Sequence, residues 1–176
     1  SKRAFSCCYN LMSIALPSGL TTIEPGTFEL CNSLTSIAIP DSITTIAEDA
    51  FVSCKALQSF TLSPNHPYFF LADGALCRTV DNTLLFYPNA RENRTYRIPD
   101  GIAAISAYAF YDCDLLESVV IPDSITQIPE RAFYGCSALA SVSLPDSLTE
   151  IGIAAFSFCA ALTDIRLPAS ITAISA

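Results

Sequence analysis

The sequence repeats itself every 23 residues, and this period constrains the fold more than any other feature. Prolines mark the period at positions 17, 40, 99, 122, 145 and 168. Successive steps are 23 residues, except for one step of 59, which is one period of 23 plus 36 further residues. A period in the twenties is typical of solenoids, in which each repeat forms one coil that stacks on the next. We therefore expect a stack of coils that is interrupted once.

Each unit reads A-F-x-x-C-x-x-L-x-x-I-x-L-P-x-S-I-T-x-I. The I-x-L stretch alternates with period 2, which predicts a short strand with its apolar side inward. The proline ends that strand because it has no N–H for the ladder. The stretch around the Phe predicts a single helical or 3₁₀ turn. Because one coil cannot cover its own apolar side, we expect the 51% of apolar residues to line a continuous core.

The unit resembles the repeat of the bacterial BspA-like leucine-rich repeat family of secreted and cell-surface antigens. Phe, Cys, Leu, Pro and Thr recur together in six units that cover nearly the whole chain. The resemblance implies an α/β, β-rich solenoid: a right-handed leucine-rich repeat horseshoe with 23-residue units. It also implies an extracellular or cell-surface location and a role in adhesion or protein binding without enzymatic chemistry.

Residues 64–98 break the repeat. Asp-Gly at 73–74 and Asp-Asn at 81–82 lie between short apolar runs, which predicts hairpin turns. We expect a meander with strands over 68–72, 75–80 and 83–87. This insert would divide one continuous domain into repeat blocks 1–63 and 99–176. Neither end shows a polar cap, so we expect part of a longer array that is monomeric or associates weakly end to end.

The insert is the most distinctive predicted surface. It holds six of the eighteen aromatic residues. The insert has a net charge of about +1 and the repeats about −9, which together give the total of −8. Arginines beside aromatics are favoured at interface hot spots. The candidate partner-binding residues are Tyr68, Phe70, Arg78, Tyr87, Arg91, Arg94 and Arg97. The alternative is that the aromatics pack the meander onto the neighbouring coil and the arginines offset an acidic scaffold.

The outward residues of the I-x-L strands form a second candidate surface, on the concave face of a horseshoe. In the second block they are Ser118, Val120, Ser141, Ser143, Asp164 and Arg166. Tight protein interfaces centre on large buried side chains. This row is small and polar, so we expect it to bind weakly or through many repeats.

The cysteines follow the repeat. Six of the eight occupy one column, namely Cys8, Cys31, Cys54, Cys113, Cys136 and Cys159. We expect buried free thiols there, with Cys acting as a small apolar residue and weak S–H donor; disulfides between stacked coils are the alternative. Cys7 and Cys77 lie outside the column and are predicted to be the more reactive pair.

Little in the sequence suggests catalysis or metal binding. The single histidine, His66, excludes sites with two imidazoles and is expected in a solvated loop. A thiol enzyme using His66 with Cys77 or Cys7 is a remote alternative. An Asp follows the proline at positions 41, 100, 123 and 146, which is ordinary turn chemistry, with calcium binding as the alternative. We expect no catalytic residue, cofactor or metal.

Charge and hydropathy narrow the range of partners. A net charge of −8 disfavours nucleic acid and anionic membranes, and no apolar run is long enough to insert in a bilayer. The sequence therefore predicts a non-catalytic module that binds host matrix or cell-surface proteins through its solenoid faces and insert. The alternative is a structural spacer with no ligand of its own.

Overall fold

Most coils of the chain contribute two short strands, and these stack into two ladders. The computed structural model describes residues 2–175. Its strands, in chain order, are β1 (Thr22–Ile23), β2 (Ser36–Ala38), β3 (Thr45–Ile46), β4 (Ser59–Thr61), β5 (Phe69–Ala72), β6 (Ala75–Arg78), β7 (Thr83–Phe86), β8 (Thr95–Arg97), β9 (Ala104–Ile105), β10 (Ser118–Val120), β11 (Gln127–Ile128), β12 (Ser141–Ser143), β13 (Glu150–Ile151) and β14 (Ala173–Ile174).

The first ladder contains the I-x-L strands. Strands β2 and β4 form one parallel sheet, and β8, β10 and β12 form another. Partners are 23 residues apart, so that Ile37 lies beside Phe60 and Val119 beside Val142. In β2 and β4 the central side chain is buried and its two neighbours are exposed. The period-2 prediction is confirmed.

The second ladder contains the strand that follows each proline turn. Here β1 pairs with β3, and β11, β13 and β14 form a parallel sheet. Hydroxyl groups join successive coils beside this ladder: Thr44 Oγ1 donates to the carbonyl of Thr21 at 3.2 Å, and Ser42 Oγ to the carbonyl of Leu20 at 2.7 Å. Equivalent bonds are made by Ser124, Ser147, Thr149, Ser170 and Thr172.

The segments around each Phe are turns, and residues 2–175 contain no helix. The Cys54 N–H donates to the carbonyl of Phe51 at 3.2 Å, and the Leu57 N–H to that of Cys54 at 2.9 Å. These are i→i+3 bonds, but they do not run consecutively. The residue before the Cys has a positive φ in each coil, such as 59° at Ser53 and 55° at Asp112. A left-handed residue at this place interrupts any helix.

The Phe column forms a stack of rings through the core. Ring centroids lie 5.4 Å apart between Phe28 and Phe51, and 4.6 Å apart between Phe110 and Phe133. Both pairs are nearly parallel, as expected when identical side chains repeat along a ladder. The structure confirms a solenoid of stacked coils with a 23-residue unit.

The insert forms the expected meander. Strands β5, β6 and β7 pair antiparallel in sequence order, with a bulge between Leu76 and Cys77. Asp73 and Gly74 connect β5 to β6 with φ values of 44° and 81°. Two positive φ values are the signature of a type I′ turn, for which Asp-Gly is a preferred sequence. Strand β7 then pairs in parallel with β9 of the second ladder.

Both faces of the meander are buried, which separates the core into two clusters. Phe69, Leu76 and Leu85 pack with the first repeat block. Cys77 and Leu84 pack with the second block. The meander is thus a wedge between the blocks, which accounts for its nearly continuous apolar runs.

Repeat geometry resumes at Tyr87, inside the segment 64–98 that we expect to be insert. The Tyr87 N–H donates to the carbonyl of Ala109 at 2.8 Å, as the Phe110 N–H does to Ala132 at 2.8 Å. The rings of Tyr87 and Phe110 stack with centroids 5.2 Å apart. Tyr87 therefore takes the Phe position of a further coil.

Two side-chain contacts join coils 59 residues apart across the insert. Ser53 Oγ donates to Asp112 Oδ2 at 2.7 Å, and Lys55 Nζ lies 3.2 Å from Asp114 Oδ2. Gly135 makes room for this arrangement, because a Cβ there would come within 2.2 Å of Asp112 Oδ1. These contacts link the two blocks directly.

Candidate functional site

The first ladder brings five of the predicted site residues together, namely Arg97, Ser118, Val120, Ser141 and Ser143. Ser118 and Ser141 are partners in register, and so are Val120 and Ser143. Strand β8 extends both rows, because Thr95 pairs with Ser118 and Arg97 with Val120. Asp164 and Arg166 are exposed, but they lie beyond the last strand of this sheet. We call the outward residues of β8, β10 and β12 the polar face.

Thr95 is a member of the polar face that the sequence argument missed. The sequence places Tyr96 and Ile98 where the coil resumes, but assigning residues 64–98 to the insert leaves their outward neighbours Thr95 and Arg97 out of the repeat columns. Counting back from Pro99 by the repeat pattern places Tyr87 in the Phe column and Thr95 and Arg97 in the outward positions. The signal was therefore present in the sequence.

Two of the predicted arginines are exposed at the edge of this face. The side chains of Arg94 and Arg97 are 62% and 65% exposed. Arg94 pairs with Glu117 of the next coil, and Arg97 Nη2 lies 3.3 Å from Asp100 Oδ1. Exposed ion pairs of this kind contribute little to stability, so both guanidinium groups are available to a partner.

Arg91 has a structural role instead. Its guanidinium donates to the backbone carbonyl and the carboxylate of Asp73, and it lies 5.7 Å from the centroid of the Tyr87 ring. A Cβ on Gly74 would come within 2.7 Å of Arg91 Nη1. Arg91 thus holds the β5–β6 turn against the following coil.

The aromatic candidates divide between surface and core. Tyr68 is exposed, whereas Phe70 is half-buried and packs against the second-block core. The prediction that Tyr87 contacts a partner is wrong, because its ring is only 3% exposed. Burial also raises the pKa of Tyr87 to about 12. A side chain enclosed by the Phe column cannot reach a partner protein.

Arg78 forms an ion pair at the β6–β7 turn. Its Nε lies 3.0 Å from Asp81 Oδ1 and its Nη2 lies 2.6 Å from Asp81 Oδ2. These hydrogen bonds lower the pKa of Asp81 to about 2. Arg78 is half-exposed, but its guanidinium is already paired with both carboxylate oxygens of Asp81.

His66 is buried, which corrects the expectation of a solvated loop residue. The Tyr68 and Phe69 N–H groups both donate to its Nδ1 at 3.2 Å, and its Nε2 lies 3.0 Å from the carbonyl of Pro40. Because Nδ1 accepts, Nε2 carries the proton and donates to Pro40. Both nitrogens are occupied by backbone groups, so neither can take a proton from a thiol.

Five of the six column cysteines are buried thiols, but Cys8 is exposed, so the expectation of a buried thiol is wrong for Cys8, which lies in the first coil of the chain. The five buried ones donate an S–H hydrogen bond to a Phe-column carbonyl of the preceding coil, for example Cys54 Sγ to Phe28 at 3.1 Å and Cys136 Sγ to Phe110 at 3.0 Å. All eight cysteines are free. Cys7 is exposed as expected, but Cys77 is fully buried, and burial raises its pKa to about 12. The prediction of a reactive Cys77 is therefore wrong.

We predict that a thiol reagent labels only Cys7 and Cys8 in the folded protein. Both are exposed, whereas burial raises the pKa of Cys54 to about 12, so its reactive thiolate is scarce at neutral pH. Mass spectrometry after alkylation at pH 7.5 without reductant measures this, and alkylation in denaturant should label all eight. Rapid native labelling of Cys77 or a column cysteine other than Cys8 would contradict the prediction.

The structure also bears on metals and membranes. Among residues 2–175, no group of three or more His, Cys, Asp or Glu side chains is arranged to hold a metal ion. In the Asp column, Asp41 accepts a hydrogen bond from Ser63 Oγ at 2.6 Å and Asp100 pairs with Arg97. No helix in the described part of the chain is long and apolar enough to cross a membrane.

Comparison with known proteins gives a consistent result. The model of the BspA-type leucine-rich repeat region matches in six copies over residues 1–70 and 86–176. No protein with a curated description matches the chain. The second stretch of the match begins one residue before Tyr87, where repeat geometry resumes.

Several solved structures share the fold. A leucine-rich cell-surface protein from Faecalibacterium prausnitzii is 30% identical with a TM-score of 0.81, over 96% of this chain and 52% of that protein. The pneumococcal vaccine antigen PcpA is 20% identical with a TM-score of 0.82, over 91% and 46%. A leucine-rich repeat protein from Eubacterium ventriosum is 21% identical with a TM-score of 0.53, over 93% and 62%. The chain thus spans about half the length of the first two.

Proposed function

The chain belongs to the BspA-type leucine-rich repeat family, and from this premise we propose that it is a non-catalytic protein-binding module of a secreted or cell-surface protein. The similar Faecalibacterium protein is described as a cell-surface protein, which supports an extracellular location. The family model describes a repeat region and indicates no catalytic chemistry. Host matrix and cell-surface proteins are the partner class that fits such a location.

The polar face carries the proposal. Its two rows of hydroxyl and small side chains run across three hydrogen-bonded strands, so their positions are held by the ladder. Arg97 ends one of these rows on β8, and Arg94 directly precedes β8; both guanidinium groups are exposed. A rigid row of small residues allows the backbone of a partner to approach closely, and the arginines supply hydrogen-bond donors.

A structural spacer is the second candidate. The observation that favours it is the lack of a large apolar side chain on the polar face, because hot spots usually include one. In this case the solenoid would only hold other parts of a longer protein apart. Mutation of the polar face would then leave adhesion unchanged.

Steric blocking of the polar face distinguishes these two functions. We expect Ser118→Tyr combined with Ser141→Tyr to weaken binding to immobilised extracellular-matrix and serum proteins by about tenfold or more, because two bulky rings cover adjacent rungs of the ladder. Surface plasmon resonance with each purified matrix protein provides the measurement.

Thr126→Tyr provides the matched control. Thr126 is exposed and directly precedes β11 of the second ladder, so the change adds the same ring on another face. Equal binding by the wild type and the doubly blocked variant would argue against the polar face. Lack of binding to any protein of the panel would favour the spacer.

A further inference from the structure

Strand β5 is the edge of the sheet that contains the meander. The strand order is β5, β6, β7 and β9, so β5 has a neighbour on one side only. The Thr79 N–H donates to the carbonyl of Tyr68 at 2.9 Å, which identifies these two residues as a hydrogen-bonded pair. In an antiparallel ladder such pairs alternate with non-bonded pairs. Phe70 and Ala72 therefore point their peptide groups toward β6, and Phe69 and Leu71 point theirs outward.

The outward groups are only partly satisfied. Of these, the Phe69 N–H donates to His66 Nδ1 at 3.2 Å. Within residues 2–175, the Leu71 N–H has no acceptor and the Phe69 and Leu71 carbonyls have no donor. Leu71 is 40% exposed. The edge thus presents one free donor between two free acceptors.

The first ladder is interrupted opposite this edge, at Leu62, the residue after β4. In neighbouring coils the residue after the strand donates to the next coil, as the Ile39 N–H does to Thr61 at 2.9 Å and the Ile98 N–H to Val120 at 3.0 Å. The equivalent Leu62 N–H makes no such bond to any described residue. The first ladder is therefore broken between β4 and β8.

A cavity of about 540 Å³ lies between this interruption and the edge of β5, with Leu62 on one side and residues 69–71 on the other. This volume falls within the usual range for ligand sites. Ser63, Thr79 and Asn82 add neutral polar groups to its lining. The lining has no Asp, Glu, Lys or Arg, and both nitrogens of its one titratable residue, His66, are bonded to the backbone. An occupant that complements this lining is uncharged.

We propose that the free edge of β5 is a docking site for an extended, uncharged segment of a partner protein, which pairs with Leu71 as an additional strand. This mode of recognition takes its affinity from main-chain hydrogen bonds. The inference rests on the proposed protein-binding function and locates a second contact, separate from the polar face. Two rings flank the added strand: the ring of Tyr68 is exposed and that of Phe70 is half-buried.

The test uses a defined probe, the pentapeptide acetyl-Thr-Val-Thr-Val-Thr-amide, with the whole chain. We expect saturable binding by isothermal titration calorimetry, together with slowed hydrogen exchange of the Leu71 amide in nitrogen-15 NMR spectra. The same peptide with all five backbone nitrogens methylated should bind about tenfold more weakly or worse, since it cannot donate to the edge. This comparison leaves the protein unchanged.

Two variants separate the backbone from the side chain. Leu71→Pro removes the outward N–H, and proline is tolerated on an edge strand when that N–H faces solvent; it should lower affinity about tenfold or more. Leu71→Ala keeps the N–H and should lower affinity less than about threefold. Equal binding of the methylated peptide, equal binding by Leu71→Pro, or absence of saturable binding at 1 mM peptide would each overturn the proposal.

A second copy of the chain is the competing occupant. Dimerisation in sedimentation equilibrium that disappears in Leu71→Pro would show that β5 pairs with itself, and would overturn the assignment to a partner segment. If the wild-type chain binds matrix proteins but does not bind the peptide, this site is rejected and the proposed function stands. Binding of the peptide by the wild-type chain without binding of any matrix or serum protein would reject the proposed function.

Discussion

Phe110→Ala should lower the free energy of unfolding by about 3–5 kcal/mol. Phe110 is fully buried and its ring lies between Tyr87 and Phe133, with centroid distances of 5.2 and 4.6 Å. It therefore joins the coil that follows the insert to the second repeat block. Truncation removes apolar contacts on both sides and leaves a cavity that the fixed coil spacing prevents from collapsing. Urea unfolding followed by circular dichroism measures the change.

Phe158→Ala is the matched control for that experiment. Phe158 is also a coil aromatic, but it is 71% exposed and contacts Tyr134 on the surface with a centroid distance of 5.0 Å. We expect a loss of no more than about 1 kcal/mol. Similar losses for the two variants would contradict the assignment of the Phe column as the continuous core.

His66→Ala should lower the free energy of unfolding by about 2–4 kcal/mol. The change leaves the Tyr68 and Phe69 N–H groups without their shared acceptor and the Pro40 carbonyl without its donor. It also removes a ring that packs 5.3 Å from the Phe69 ring centroid. Because these bonds fasten the start of β5 to the second coil, hydrogen exchange at residues 66–71 should accelerate before global unfolding. Urea titration and amide exchange report the two effects separately.

Two variants show whether the imidazole acts through these hydrogen bonds. His66→Asn keeps an acceptor near the Nδ1 position and should recover part of the loss, since Asn side chains readily accept from backbone N–H groups two residues on. Val80→Ala changes an exposed residue of the same insert and should have little effect. A His66→Ala variant as stable as the wild type would refute this role.

The repeat coils could be predicted closely from the sequence because their structure is set by local periodicity. Ile37 and Val119 are buried because side chains alternate across a strand, and in both of these coils a proline follows the strand and ends it. Cys54 and Cys136 lie in turns rather than strands, and they are buried at a fixed spacing from the buried Phe of their coil. The Asp73–Gly74 turn follows from the preference of that dipeptide for positive φ.

The insert shows where such reasoning fails. Its aromatics and arginines suggest a binding surface, but Tyr87 is part of the core and Arg91 holds the β5–β6 turn. Of the four candidate arginines in the insert, only Arg94 and Arg97 have side chains that are mostly exposed. Composition describes which groups a segment contains, whereas exposure depends on what packs against both of its faces.

The 23-residue coil, its inward columns and the turns of the meander are readable from the sequence, because side-chain direction and φ preference act over a few residues. Three features emerge only from the folded chain: the meander is a wedge, His66 is buried, and Leu71 lies on a free strand edge. These features depend on contacts between residues far apart in the chain, such as Pro40 with His66 and Ser53 with Asp112. No local pattern specifies such pairs, because they form only when coils on both sides of the insert are already stacked.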